Sequence, residues 1–130
     1  MGNLFDGFAI SASGMEAQAR RLRHVSENIA NADTPGYRRK TIDFRAEIDR
    51  ASGLARVRTG PVQLDRRELP RVYDPGHALA DATGFYDGST VDLMIEIADA
   101  REAGRSYEAN LRVFDQTRQM AQGLLELLRR

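Results

Sequence analysis

The sequence predicts an α+β chain: a long helix at each end, the two packed as an antiparallel coiled-coil-like pair, with a small β-rich insert between them. Three observations carry this expectation. Apolar residues recur every seven positions near both ends. All four prolines, Pro35, Pro61, Pro70 and Pro75, fall between those ends. From residue 42 to 49 the apolar period drops to two.

The first helix is expected from about residue 4 to 31, about 42 Å long at 1.5 Å per residue. Phe8, Met15, Leu22 and Ile29 form its heptad column. Ala12, Ala19 and Ser26 make a second column of small residues, and Leu4 and Val25 widen the stripe. Asn3 is the expected N-cap, and Glu16 precedes Arg20 by four, a favourable order for a surface pair. The helix should stop at Asn31, because Pro35 disfavours helical geometry for Thr34 and Pro35-Gly36 suits the centre of a type II turn. Asn28, Asn31, Pro35, Gly36 and Tyr37 are therefore the residues expected to set the angle between this helix and the insert.

In the insert, Ile42, Phe44, Ala46 and Ile48 alternate with Asp43, Arg45, Glu47 and Asp49 as in a half-buried strand. Shorter strands are expected at 55–59, 62–64 and 69–73. Asp74-Pro75-Gly76-His77 should form a turn, and Gly84 and Gly88 bracket a loop. A region of about 50 residues has a marginal core alone, so neighbouring elements should support it.

The last helix is expected from about residue 90 to 128, roughly 57 Å. Ser89 or Thr90 can cap it, Asp92 and Glu96 suit its positive end, and Arg129 and Arg130 its negative end. Leu93, Ala100, Tyr107, Phe114, Ala121 and Leu128 form one column; Ile97, Leu111 and Leu125 form another that Gly104 and Arg118 interrupt. The chain thus divides into a helix over 1–34, an insert over 35–89 and a helix over 90–130. The two helices should bury their main columns against each other, within and between subunits, with Gly14 and Gly104 allowing close approach. Met94, Val113, Leu124 and Leu127 lie off that seam, and such surplus apolar surface points to other copies of the chain.

Composition narrows the function classes. The 130 residues are 42% hydrophobic and 29% charged, which fits a folded chain. No run approaches the ~18 apolar residues of a membrane span, and no basic stretch followed by an apolar core suggests a cleavable secretory signal. Cysteine is absent, which removes disulfides, thiolate metal sites and thiol nucleophiles. Net charge is zero, yet residues 20–71 hold thirteen basic against seven acidic groups while residues 72–130 hold ten acidic against six basic. Copies stacked head to tail could use that complementarity.

The sequence holds few chemistry-bearing groups in functional arrangements. His24 reads as a helix-surface residue and His77 as a turn residue, neither with acids at metal or triad spacing. Glu96, Asp99 and Glu102 stack at intervals of three, and Arg101 and Arg105 beside them make a solvated charged face the simpler reading. No phosphate loop, Ser-His-Asp order or dinucleotide fingerprint appears, so no catalytic, cofactor-binding or metal site is assigned. Arg38-Arg39-Lys40 after Tyr37 raises a nucleic-acid patch, but three charges without a recognition helix more often meet acidic protein surface or water. A soluble coiled-coil adaptor also fits the heptads.

Ser13-Gly14-Met15-x-Ala17-Gln18, Arg21-Leu22 and Asn28-Ile29-Ala30-Asn31 together resemble the N-terminal signature of bacterial flagellar axial proteins, the rod, hook and hook-associated family. Tyr37-Arg38-Arg39-Lys40, Val72-Tyr73-Asp74-Pro75-Gly76-His77 and Leu79-Ala80-Asp81-Ala82-x-Gly84 are similar to the insert of a basal-body rod protein of the proximal rod. Arg105-Ser106-Tyr107-x-Ala109-Asn110, with Leu111 and Val113-Phe114, resembles the C-terminal helix of the same group. Asp33-Thr34-Pro35-Gly36-Tyr37 is similar as well to the sister rod protein FlgB, and Phe85-Tyr86-Asp87-Gly88-Ser89 departs from the usual loop. The resemblance implies a structural rod subunit in the periplasm, without cofactor, exported by the flagellar type III apparatus. Its implied partners are copies of itself and rod proteins of the FlgB, FlgF, FlgG and FliE types, with neither nucleic acid nor a direct membrane anchor.

Overall fold

The structure, a computed structural model, describes residues 3–129, and side chains from residue 5 onward. Two helices, α1 (Asn3–Ala30) and α2 (Leu93–Leu128), flank six short strands: β1 (Lys40–Thr41), β2 (Phe44–Ile48), β3 (Ala55–Thr59), β4 (Gln63–Leu64), β5 (Arg71–Tyr73) and β6 (Phe85–Asp87). The strands form three separate antiparallel ladders, β1 with β4, β2 with β3 and β5 with β6. The expected side-chain roles of Asn3 and Leu4, and that of Arg130, lie outside the described residues.

The helices run antiparallel, and their line of closest approach is made of small and polar residues. A Cβ on Gly7 would sit 3.4 Å from Thr117 Oγ1, and one on Gly14 would sit 2.8 Å from Asn110 Nδ2. Arg21 reaches Asp99 at 3.3 Å, and Asn28 reaches Glu96 at 3.2 Å. Gly7, Gly14, Arg21 and Asn28 recur every seven residues, as do Glu96, Ala103, Asn110 and Thr117, so the register is a heptad one. The expected column lies one residue further on. Phe8, Met15 and Leu22 are half-buried on the shoulder of the seam, Phe8 meeting Phe114 edge-on with ring centroids 4.9 Å apart. Ile29, at one end of the pair, is exposed, as is Leu128 at the other; Ala12, Ala19 and Ser26 face away from the seam. A Cβ on Gly104 would meet nothing within 4 Å among the described residues, so unlike Gly14 it makes no close contact with them.

α1 ends as its sequence requires. Asn31 Nδ2 donates to the Glu27 carbonyl at 2.8 Å, and Tyr37 N–H closes the Thr34-Pro35-Gly36-Tyr37 turn on Thr34 O at 3.2 Å, with Gly36 at φ 75°. α2 starts later than expected, capped by Asp92, whose Oδ1 accepts from Met94 N–H at 3.0 Å. Ser89 and Thr90 do not cap it because their side chains are used elsewhere: the Ser89 hydroxyl donates to Ala32 O, and Thr90 Oγ1 accepts from Arg39 N–H.

In the insert β3 matches its expected span. β2 is present, but its alternation does not mark a half-buried strand, since Ile48 is 72% exposed and the outer strand lies over little. The hairpin instead leans on α1 through β3, where Val57 N–H donates to Ser13 Oγ and Arg20 Nη1 to Thr59 Oγ1, both at 3.1 Å. The segment between Gly84 and Gly88, expected as a loop, holds β6, paired Tyr73↔Phe85 through Arg71↔Asp87.

Candidate functional site

The chain from Asn28 to Lys40 turns from helix into insert, and its polar groups are bound on three sides. Gly36 N–H donates to the carbonyls of Asp87 and Gly88 at 3.1 and 3.2 Å. Thr90 N–H donates to Tyr37 O at 3.0 Å, and Asp65 N–H to Arg39 O at 2.8 Å. The turn is thereby fastened to β6, to the start of α2 and to β4.

At the centre stand Glu96 and Asn28, 0% and 1% exposed. A buried amide is tolerated when its donors and acceptors are matched. Asn28 matches all of them. Its Nδ2 donates to Lys40 O at 2.9 Å and to Glu96 Oε2, while its Oδ1 accepts from Lys40 N–H and from the Tyr37 hydroxyl, both at 2.9 Å. Burial raises the Tyr37 phenol above its ordinary range, so it stays a neutral donor. Glu96 is paired by Arg39 through Nε, and Arg39 Nη2 reaches Asp99 at 2.5 Å. Arg21 completes the chain of charges with Asp99 and, at 3.5 Å, Glu102.

The acidic run on α2 is therefore not a solvated face. Its first two members are the partners of Arg39 and Arg21, brought together by the fold across more than fifty residues of chain. One signal could have shown this: Glu96 stands seven residues before Ala103, in the contact line itself. The basic cluster is also occupied internally. Arg38 donates to the carbonyls of Asp65 and Arg67, Arg39 pairs with Glu96 and Asp99, and Lys40 meets Glu27 at 3.0 Å, lowering the Glu27 carboxyl below its ordinary value. Arg39 and Lys40 are thus paired with carboxylates, whereas Arg38 meets only carbonyl oxygens. His24 is not on the surface but half-buried, its Nδ1 3.7 Å from Glu27, and His77 stacks on Tyr86 at 3.9 Å.

Of the residues singled out for assembly, the fold gathers Asn28, Tyr37, Arg39 and Lys40 into this cluster. Asn31, Pro35 and Gly36 line its turn, and Arg38 lies on its far wall. Asn110 packs on Gly14 further along the seam. Arg105 and Leu111 are exposed, Tyr107 half-buried. Among the described residues no group of three His, Cys, Asp or Glu is placed to hold a metal, and no helix is long and apolar enough to cross a membrane.

Two family models match parts of the chain outside β1–β5: a flagella basal body rod protein model over residues 8–38, and a flagellar basal body rod FlgEFG protein C-terminal model over 82–127. The chain is 48% identical over 127 residues to the flagellar basal-body rod protein FlgC of Agrobacterium fabrum, covering 92% of this chain and 91% of that one. The chain belongs to the FlgC family. The FlgC of Salmonella typhimurium is 32% identical over 124 residues, with 91% and 90% covered, and that of Borreliella burgdorferi 28% over 148, with 96% and 97% covered. As a FlgC-family chain it is a structural subunit of the flagellar basal-body rod, in a family that is structural rather than enzymatic. The first model ends at Arg38 and the second begins at Ala82, so both include part of the junction described above.

Proposed function

We propose that this rod subunit belongs to the proximal rod, the torque-transmitting shaft that crosses the periplasm toward the hook. In this reading it is exported by the flagellar type III apparatus and assembles with copies of itself and with rod proteins of the FlgB, FlgF, FlgG and FliE types. Its helices lie side by side with those of neighbours in a tubular layer, and the 35–89 insert faces outward.

The observation that carries this reading is the apolar surface on both flanks of α2. On a helix of 3.6 residues per turn, Leu93, Ile97 and Leu111 fall to one side of the contact line, and Val113, Met120 and Leu127 to the other. All are exposed, Met120 at 58% and Leu127 at 65%. A helix in a two-helix monomer needs one apolar face; one with two more has neighbours on both sides. On α1 the shoulder column of Phe8, Met15, Leu22 and Ile29 is placed to meet a neighbour as well. The contacts within the chain set the angle of the insert through Asn28, Asn31, Pro35, Gly36 and Tyr37.

Basal bodies from a strain deleted for this chain, complemented with wild type or with Val113→Asp or Met120→Asp, test the reading. Both positions are exposed, so the folded monomer should survive. The expected result is rings without a complete rod in the deletion and in either variant, and full rods with wild type. Motile cells carrying intact rods in the deletion strain would refute it.

A further inference from the structure

Two surfaces of the insert complement each other, and they are different surfaces. The first is a broad cleft of about 1150 Å³ between the β1–β4 ladder and the start of α2, with Arg38, Arg66, Val62, Leu64 and Ile95 in its walls. Two further arginines there are neutralised in place: Arg39 by Glu96 and Asp99, and Arg67 by Asp65 at 2.7 Å. Arg38 meets only the carbonyl oxygens of Asp65 and Arg67, and Arg66 has no carboxylate partner among the described residues. The cleft thus presents two uncompensated cations beside three exposed aliphatic side chains. A groove of that kind selects a segment that is acidic and apolar at once.

The second surface has that character. Residues 70–88, the β5–β6 module, hold three aspartates against one arginine. Asp81 and Asp87 are both spent on Arg71, at 2.5 and 3.2 Å. Asp74 has no cation partner among the described residues, and the module exposes Tyr73 at 65% and Leu79 at 64%. Tyr73 is moreover held rigid, its ring 5.0 Å from that of Phe85 and against Gly84. A fixed aromatic anchor beside a free acid is a suitable insert for an apolar cleft with free cations.

We propose that the β5–β6 module of one copy docks into the arginine cleft of a second copy, with Asp74 facing Arg38 and Arg66, and Tyr73 and Leu79 against Val62, Leu64 and Ile95. The contact joins two different patches, so it does not close as a two-fold dimer and repeats from copy to copy. This rests on the rod-subunit reading, because a repeating contact needs a polymer. It deepens that reading by giving the outer insert a lateral contact of its own, apart from the helical layer.

The natural chain has no cysteine, which makes a specific cross-link readable. Copies carrying Arg66→Cys and copies carrying Asp74→Cys are co-expressed, and intact basal bodies are purified and mildly oxidised. The expected product is a dimer of this chain that forms when both variants are present and not with either alone. In parallel, Arg66→Glu and Asp74→Arg should each lower incorporation about tenfold, and the two changes in one chain should restore it. Complete rods containing both cysteine variants but no dimer would overturn the docking while leaving the rod reading standing. A dimer from one variant alone, or a cross-link to a different rod protein, would overturn the second copy as occupant. Absence of the wild-type chain from basal bodies would defeat the rod reading itself.

Discussion

Replacing Asn28 by alanine should be among the most damaging single changes in the chain. The side chain makes four hydrogen bonds in a site that is 1% exposed. Two of the four partners can recover: the half-buried Tyr37 hydroxyl can turn to water, and Glu96 keeps Arg39. The N–H and C=O of Lys40 cannot, because both point at α1, away from β4. Orphaned buried polar groups cost about 1–3 kcal/mol each, so the loss should be about 2–6 kcal/mol. That is a large part of the ~5–15 kcal/mol typical of a whole domain. Asn28→Asp sharpens the test. It is isosteric and retains the acceptor toward Tyr37 and Lys40 N–H, but it places a carboxylate oxygen where Nδ2 stood, 3.2 Å from Glu96 Oε2 and 2.9 Å from Lys40 O. It should therefore destabilise at least as much as alanine. Urea unfolding followed by far-ultraviolet circular dichroism measures both. A loss under about 1 kcal/mol for Asn28→Ala, or an Asn28→Asp variant as stable as wild type, would refute the assignment of Asn28 as the pivot of the junction.

Three further outcomes follow from the same geometry. Gly14→Ala puts a Cβ 2.8 Å from Asn110 Nδ2 and 2.9 Å from its Cγ, an overpacking cost of about 1–3 kcal/mol set against about 1 kcal/mol of helix propensity. Gly104→Ala meets nothing and should stabilise by up to about 1 kcal/mol, so thermal melts of the two should move in opposite directions. Gly36→Ala, at φ 75° in open space, should cost about 1–2 kcal/mol from backbone strain, whereas Gly84→Ala adds a 2.8 Å clash with Tyr73 and should cost more; urea midpoints rank them. Asp81 accepts from the Thr83 hydroxyl, from Phe85 N–H and from Arg71, and these hold its carboxyl well below the ordinary carboxylate range. A folded pKa below the unfolded one means stability that is present at neutral pH and lost as pH falls below about 4. Amide exchange at Phe85, corrected for intrinsic rates, should then accelerate in acid, and Asp81→Asn should remove that acid dependence.

Much of the fold was legible in the residues, and the gaps have physical causes. Pro35-Gly36 ended α1 where the turn forms, and the seven-residue period placed both helices. The period did not give the contact line. Hydrophobic patterning finds large apolar side chains, and in this pair Phe8, Met15 and Leu22 ride on the shoulder while glycines and polar residues make the close approach. Alternation from Ile42 to Asp49 found a strand but not its burial, since it reports an apolar face and not whether anything covers it. Glu96 looked solvated because Arg101 and Arg105 are its neighbours in sequence, and its true partner Arg39 comes from a segment 57 residues away. The three-residue strand β6 carries no period of its own and exists because Arg71–Tyr73 pairs with it.

Among the described residues only Ala17, Val25 and Ala103 are buried apolar side chains, too few to dictate how two helices of this length meet. The polar junction supplies what that core lacks. A buried ion pair such as Arg39 with Glu96 adds little net stability, because desolvation offsets most of its attraction, yet separating its members is costly. Sliding α2 by one turn, about 5.4 Å, would leave Glu96 without Arg39 and Asn28 without its partners. The register is therefore specified by charges and amides that only one alignment satisfies. Had leucines and methionines filled that role, the same side chains would be drawn both to the seam and to neighbouring subunits, and monomer and polymer would compete for them. Placing glycine, asparagine and glutamate on the contact line, with the apolar residues on the flanks, separates the two tasks: the subunit fixes its own shape with polar groups and keeps its apolar surface for the rod.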